Sequence, residues 1–175
     1  MIVAIDFGIT NTDVALSNKS QYKFFSMPSK NANERFIDEI ISLIDIDITE
    51  ISQIVVTGGK SNELNESFKG VNLTKISETD AIGYGTKEIY KIENEPFITL
   101  SCGTGTACIH HQDGQFSYIG GIAVGGGTIS GLSKAILDSS SLEEITDLAV
   151  KGHRKNIDLL IGDWLLYTSP SPRDF

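Results

Sequence analysis

Nine of the 17 glycines in this 175-residue chain fall between Gly103 and Gly131, and that clustering limits what its second half can be. Glycine in the interior of a helix or strand is destabilising by roughly 0.5–1 kcal/mol relative to alanine, whereas in turns it reaches positive φ and lets the backbone approach a ligand. Two groups stand out. Gly103 and Gly105 alternate with Thr104 and Thr106, and Gly125, Gly126 and Gly127 run through Thr128 into a helical pattern from Ile129 to Leu137. The amides of that second group and the positive end of the helix would face one point, which is the physics of an anion site. Phosphate is the obvious guest.

A similar signal opens the chain. The apolar run Ile2 to Ile5 ends in Asp6 and Gly8, and after Thr10 and Thr12 a second run, Val14 to Leu16, follows as the return strand of a hairpin. A third strand is expected around Tyr22 to Phe25. Phe36, Ile37, Ile40, Ile41 and Ile44, spaced by three and four, predict one apolar helix face over 33–44. A strand at 54–57 closed by Gly58 and Gly59, a helix-prone patch at 63–68, a strand at 72–76 and a helix from about 81 to 92 complete this part. Strands alternating with helices predict an α/β fold with a parallel sheet.

From Phe97 the hairpin pattern begins again: an apolar run to Leu100, a turn at 103–106, a run to Ile109, a turn at Asp113 and Gly114, and a further strand. This is an approximate internal repeat. It is followed by the Ile129 helix and another near 142–150. The expected division is a first domain over 1–93 and the first part of a second over 94–163.

Composition narrows the partners. With 40% hydrophobic residues the chain can bury a core. A net charge of −9 opposes a nonspecific grip on nucleic acid or anionic lipid. An anionic ligand must therefore be held by backbone amides, local cations or a metal ion. No stretch reads as a signal peptide or membrane span, so the expected location is cytoplasmic. Cys102 and Cys108 give neither a disulfide framework nor a zinc pattern. His110 and His111 are adjacent, point to opposite faces of a strand and are not expected to share a metal.

Two decoys fail on spacing. Gly58-Gly59-Lys60-Ser61 imitates the end of a P-loop, but the first glycine that motif needs would fall at Ile54. Gly103 and Gly105 are followed by Cys108 where a dinucleotide fingerprint requires glycine.

The remaining motifs carry a resemblance. Asp6-Phe7-Gly8-Ile9-Thr10-Asn11-Thr12 resembles the first phosphate loop of the acetate and sugar kinase, heat-shock ATPase and actin superfamily, and Gly103-Thr104-Gly105-Thr106 resembles the second. Within it the chain is most similar to type II pantothenate kinases. That similarity is carried from Ile2 to about Asp163 by Val56-Thr57-Gly58-Gly59, Ser77-Glu78-Thr79-Asp80-Ala81, the glycine block Gly120 to Ile129 and Asn156-Ile157-Asp158-Leu159. The resemblance implies an actin-like ATPase (ribonuclease H-like) fold, with a first domain and an incomplete second one. It implies transfer of the ATP γ-phosphate to the primary hydroxyl of pantothenate, which opens coenzyme A synthesis, and a homodimer for the full-length protein. ATP would be held by Asp6, Gly8, Thr10, Asn11, Thr12, Gly103, Thr104, Gly105 and the run Gly126, Gly127, Thr128, Ile129, Ser130. Asp6 would hold Mg²⁺ through water. Glu78 falls where the family places its catalytic glutamate, and would orient or deprotonate the acceptor hydroxyl.

Two positions depart from the family in charge. Asp13 stands where type II enzymes often carry a lysine, and Tyr118 where they place the arginine that pairs with the pantothenate carboxylate. Tyr118 would be the acceptor-binding residue here, giving one neutral hydrogen bond in place of a bidentate charged pair. The stretch from 164 to 175 does not follow the family and resembles a translated sequencing adapter. Two alternatives stay open: an actin-like kinase or ATPase for another hydroxylated metabolite, since the opening loop also resembles hydantoinase and oxoprolinase proteins, and a non-catalytic nucleotide-binding protein.

Overall fold

The first strand decides how the chain packs. In β1 (Ile2–Phe7) the side chains of Val3, Ile5 and Phe7 are buried to 1% exposure or less, and Ile2, Ala4 and Asp6 alternate onto the opposite face. The computed structural model describes residues 1–18, 21–153 and 156. The expected departure from the family over 164–175 lies outside them.

β2 (Asn11–Asn18) returns antiparallel to β1, and β3 (Gln21–Pro28) pairs with β2. β4 (Gln53–Thr57) lies parallel to β1 on its other side, followed by β6 (Val71–Lys75) parallel to β4 and by β5 (Ser67–Phe68) at the far edge. The six-stranded order is β3-β2-β1-β4-β6-β5. Only the β1-β4-β6 centre is parallel, so the sheet is mixed, because hairpins rather than crossovers join its outer strands.

Helix α1 (Glu34–Leu43) covers the Val3-Ile5-Phe7 face. Its N-cap, Asn33, accepts the Phe36 amide at 2.9 Å through Oδ1, and Phe36, Ile37, Ile40 and Ile41 all lie buried against the sheet. The Phe7 and Phe36 rings meet with centroids 6.1 Å apart. The helix-prone patch at 63–68 is instead a short 3₁₀ turn at Ser61–Glu63 followed by β5. Lys69 and Gly70 both have positive φ, 46° and 83°, so the chain reverses tightly there and pairs Phe68 with Val71. Gly58, with φ of 92°, and Ser61, whose Oγ donates to the Gly58 carbonyl at 2.8 Å, make a turn of the P-loop imitation.

Helix α2 (Glu78–Tyr90) starts three residues earlier than the pattern predicts, because Ser77 caps it: its Oγ accepts the Asp80 amide at 3.0 Å. It packs on a second sheet made of β7 (Phe97–Cys102), β8 (Thr106–Gln112) and β9 (Gln115–Ile122), all antiparallel. The contact is aromatic. Phe116 lies edge-on to Tyr84 at 4.8 Å, and buried His111 stacks on Phe97 at 4.7 Å and meets Phe116 at 4.9 Å. His110, its neighbour, is half-buried on the other face of β8, as the alternation requires.

The chain divides into two compact units, Met1–Ile129 and Ser130–Phe175. Helix α3 (Gly126–Leu137) begins in the first and continues into the second. It takes in the glycine run itself rather than starting after it. In the second unit, α4 (Leu142–Lys151) is capped by Ser141, whose Oγ accepts the Glu144 amide at 3.4 Å. Cys102 and Cys108 are free thiols, and among the described residues no helix is long and apolar enough to cross a membrane.

A Cβ placed on Gly83 would come within 2.2 Å of the Phe116 ring. Gly83→Ala is therefore expected to lower unfolding free energy by about 1–3 kcal/mol through overpacking, read as a shift in urea midpoint with an unchanged slope.

Candidate active site

The first glycine–threonine loop, 8–11, turns between β1 and β2. It is braced from beneath: Ser29 donates its amide to the Thr10 carbonyl at 3.0 Å and its hydroxyl to the Gly8 carbonyl. Thr12 belongs to this brace. It is fully buried with Oγ1 3.2 Å from Ser29 Oγ, so its hydroxyl faces the core side of β2 while Asn11 stays exposed.

The second loop, 103–105, joins β7 and β8, and the two loops touch. Thr10 Oγ1 and Thr104 Oγ1 lie 2.8 Å apart across 94 residues of sequence. One proton serves that hydrogen bond, leaving the other free to donate to an anion. The glycines are needed for this approach. A Cβ on Gly127 would meet Thr10 Oγ1 at 2.9 Å and Thr104 Cα at 3.0 Å, and one on Gly125 would meet the Gly105 carbonyl oxygen at 2.4 Å.

The start of α3 is more committed than the sequence pattern implies. The Gly127 and Thr128 amides donate to the Gly103 and Thr104 carbonyls, both at 3.2 Å. The Thr128 hydroxyl also lies 2.8 Å from the Thr104 carbonyl oxygen and 2.7 Å from that of Ala123. These groups lock the glycine run onto the second loop, so of the threonine hydroxyls here only the Thr10–Thr104 pair keeps a proton for an anion. Gly126 opens the helix, Ile129 donates its amide to the Gly125 carbonyl at 2.9 Å, and Ser130, in the second unit, donates Oγ to the Ser140 carbonyl at 3.4 Å.

Asp6, at the end of β1, stands opposite Asp13 on β2 and beside Thr57 on β4. Although Asp6 keeps part of its surface open to solvent, burial of its carboxyl, then the charges of Glu78 and Asp13, push its pKa above the ordinary 3.8. Glu78, the first residue of α2, is thus brought near Asp6 and sits where a helix N-terminus favours a carboxylate. Tyr118 on β9 is 60% exposed, with its hydroxyl lying over Gly121. The structure places Asp6 within range of the Glu78 charge and joins the two threonine loops through Thr10 and Thr104. It keeps Thr12 beneath.

Sequence reasoning placed Thr57 and Gly58 in a family-like motif but gave neither a role at the site. Thr57 Oγ1 is the only buried side-chain oxygen or nitrogen among the described residues without a hydrogen-bond partner. A Cβ on Gly58 would come within 2.9 Å of Asp6 Oδ1, so only glycine leaves that flank of the carboxylate open. The Asp6 carboxylate is an oxygen donor of the kind Mg²⁺ takes, whereas Thr57 Oγ1 is closed to solvent.

The sequence profile of the Fumble family matches residues 83–169. A type II pantothenate kinase from Bacillus anthracis is 33% identical over 167 residues, 92% of this chain. One from Oceanobacillus iheyensis is 27% identical over 98% of it. The chain is similar to type II pantothenate kinases along most of its length. It spans 58% and 62% of the length of these two relatives. Among solved structures, the activator of 2-hydroxyisocaproyl-CoA dehydratase from Clostridium difficile, with bound ADPNP, is similar at a TM-score of 0.55 and 18% identity, over 78% of this chain and 52% of that one. A ROK family protein from Streptococcus pneumoniae is similar at 0.52 and 12% identity, over 87% and 68%. The fold is the actin-like ATPase fold.

A carboxyl whose pKa is raised by folding contributes stability below its unfolded value, and that contribution is lost as pH rises through the folded one. Asp6→Asn is therefore expected to melt higher than the parent at pH 7 in metal-free buffer, the gap closing towards pH 4. A melting series showing no gap at pH 7 would contradict the burial of the Asp6 carboxyl and the charges placed around it.

Proposed function

We propose that the protein this chain represents is an ATP-dependent pantothenate kinase, forming 4′-phosphopantothenate in the first step of coenzyme A synthesis. The reading rests on similarity to type II pantothenate kinases along 92% of the chain. The charge coupling of Asp6 with Glu78 and the Thr10–Thr104 contact support the reading.

Phosphoryl transfer depends on positioning and charge neutralisation more than on covalent chemistry. Thr10 and Thr104 donate hydroxyls to phosphate oxygens, with Gly103, Gly105 and Gly127 allowing the backbone to close around them. Asp6 would hold Mg²⁺ through water, and the bound ion would neutralise charge on the phosphates. Glu78 orients the acceptor hydroxyl and takes its proton while the oxygen attacks the γ-phosphorus and the β–γ bridging oxygen leaves with ADP. Tyr118 supplies a neutral hydrogen bond to the acceptor.

A second reading is favoured by two residues. Asp13 adds negative charge beside Asp6, and Tyr118 offers no positive charge to a carboxylate. Both suit an acceptor that is a hydroxylated metabolite without a carboxylate. Transfer of labelled γ-phosphate by the full-length protein to pantothenate, to pantetheine-like neutral alcohols and to small hydroxy acids separates the readings. Transfer to pantothenate alone supports the first, transfer to neutral alcohols alone the second, and nucleotide binding without transfer would overturn both.

Glu78→Gln in the full-length protein is expected to lower kcat by about 10²–10⁴-fold with little change in KM for ATP, the size expected for loss of a general base. Near-parental kcat would remove Glu78 from the mechanism.

A further inference from the structure

Glu78 is carried by a helix that leaves one sheet and packs on the other. Before α2 begins, the Ile76 amide still donates to the Val56 carbonyl of β4 at 2.9 Å; Ser77 then caps the helix and Glu78 is its first residue. On the first-sheet side α2 borders open space. Ile76 and Ala81 line a cavity of about 580 Å³ together with Ala4, Ala15 and Val55, so Ala81 offers only a methyl group across it. On the other side the contacts are close. Phe116 of β9 lies against the α2 backbone, where a Cβ on Gly83 would meet its ring at 2.2 Å, and it stands edge-on to Tyr84 at 4.8 Å. His111, 4.9 Å away, backs the Phe116 ring from within the second sheet, and Thr99 of β7 donates its hydroxyl to that of Thr86 at 3.1 Å. The helix depends on this support. Two of its 13 residues are glycine, a weak helix former, and an isolated helix of that length is marginal in water.

We propose that Phe116 is a positioning residue for Glu78: seated on Gly83 and Tyr84, it fixes α2 against the second sheet and so sets where the Glu78 carboxylate stands relative to Asp6. Phe116 acts through the helix and touches neither phosphate nor acceptor. Its strand belongs to the sheet whose β7–β8 turn carries Thr104, so Glu78 and the second loop share one support, while Asp6 belongs to the other sheet. Glu78 lies within electrostatic range of Asp6, and a small rotation of α2 changes what its carboxylate can reach. Misplacing a reacting group by 1 Å can cost about 10²-fold in rate. The glycine at position 83 follows from the same arrangement, since a side chain there would hold the helix off the ring.

The inference rests on the proposed function in taking Glu78 for the base, and the first of its two measurements on the full-length protein uses neither nucleotide nor acceptor. Residual dipolar couplings of backbone amides report the angle between α2 and β1. Phe116→Leu should change or average the couplings of 78–90 while those of 2–7 keep their fit, and Ile40→Val, which loosens the core under α1, should leave α2 as it was. The second measurement is kcat with pantothenate. Phe116→Leu should lower it by about 10–10²-fold with KM for ATP unchanged, and should lower it no further in Glu78→Gln, where no base is left to position. Parental α2 couplings in Phe116→Leu overturn the proposal, as does an equal loss of kcat in the parent and Glu78→Gln backgrounds, which would make Phe116 merely structural. If Phe116→Leu does not fold, Tyr84→Ala, an exposed change on the same contact, takes its place, and parental α2 couplings there overturn it. Should α2 turn as expected while no phosphate reaches pantothenate, the proposed function fails and the seating of α2 on Phe116 stands.

Discussion

Burial of alternate residues in β1 is the constraint from which the rest follows. Val3, Ile5 and Phe7 can be dry only if they face α1, and their register against Ile54 and Val56 of β4 and Val14 and Leu16 of β2 leaves no second solution. A shift of one residue would expose the whole set and bury Asp6. The position of the carboxylate on the open face is thus a by-product of packing on the closed one. The same parity carries Asp13, Ser26 and Thr57 to that face.

Helix α2 transmits this arrangement to the second sheet. In sequence it follows β6 of the first sheet, yet it packs on β7, β8 and β9, and its first residue is Glu78. Gly83 and Tyr84 seat the helix on Phe116, and His111 fills the layer beneath between Phe97 and Phe116. The His111 ring is kept by stacking and by its 3.3 Å contact from Nδ1 to the Glu95 carbonyl oxygen. A histidine in an apolar layer here is a packing residue with one polar tether, not a ligand.

Most of the fold was legible because its signals are local and redundant. Phe36 to Ile41 declare their helix by spacing, and the repeated hairpins announce themselves by glycine and threonine between apolar runs. What escaped was set by neighbours distant in sequence. Phe68 reads as helix until it pairs with Val71, and the start of α2 depends on whether Ser77 or a later residue caps the helix. At the site, Asp6, Glu78 and the glycine loops could be named from the sequence. That Thr12 points inward, and that the Thr128 hydroxyl is committed to backbone carbonyls, requires the register of β2 and the closeness of two loops. The pairing of Asp13 with Asp6 was implicit in the opening hairpin, since equal arms around one turn place them opposite each other.

The contact between Thr10 and Thr104 sets how easily the cradle yields. A net contribution of about 1 kcal/mol, ordinary for a hydrogen bond between neutral groups, corresponds to roughly a fivefold preference for the clasped arrangement. A ligand that must part the hydroxyls thus loses only about that factor in apparent affinity. The clasp is a latch light enough to be lifted by any anion that offers both threonines a charged acceptor. Because the glycines beside it leave no side chain to strip away, the hydroxyls can exchange one another for phosphate with little movement of the loops that carry them.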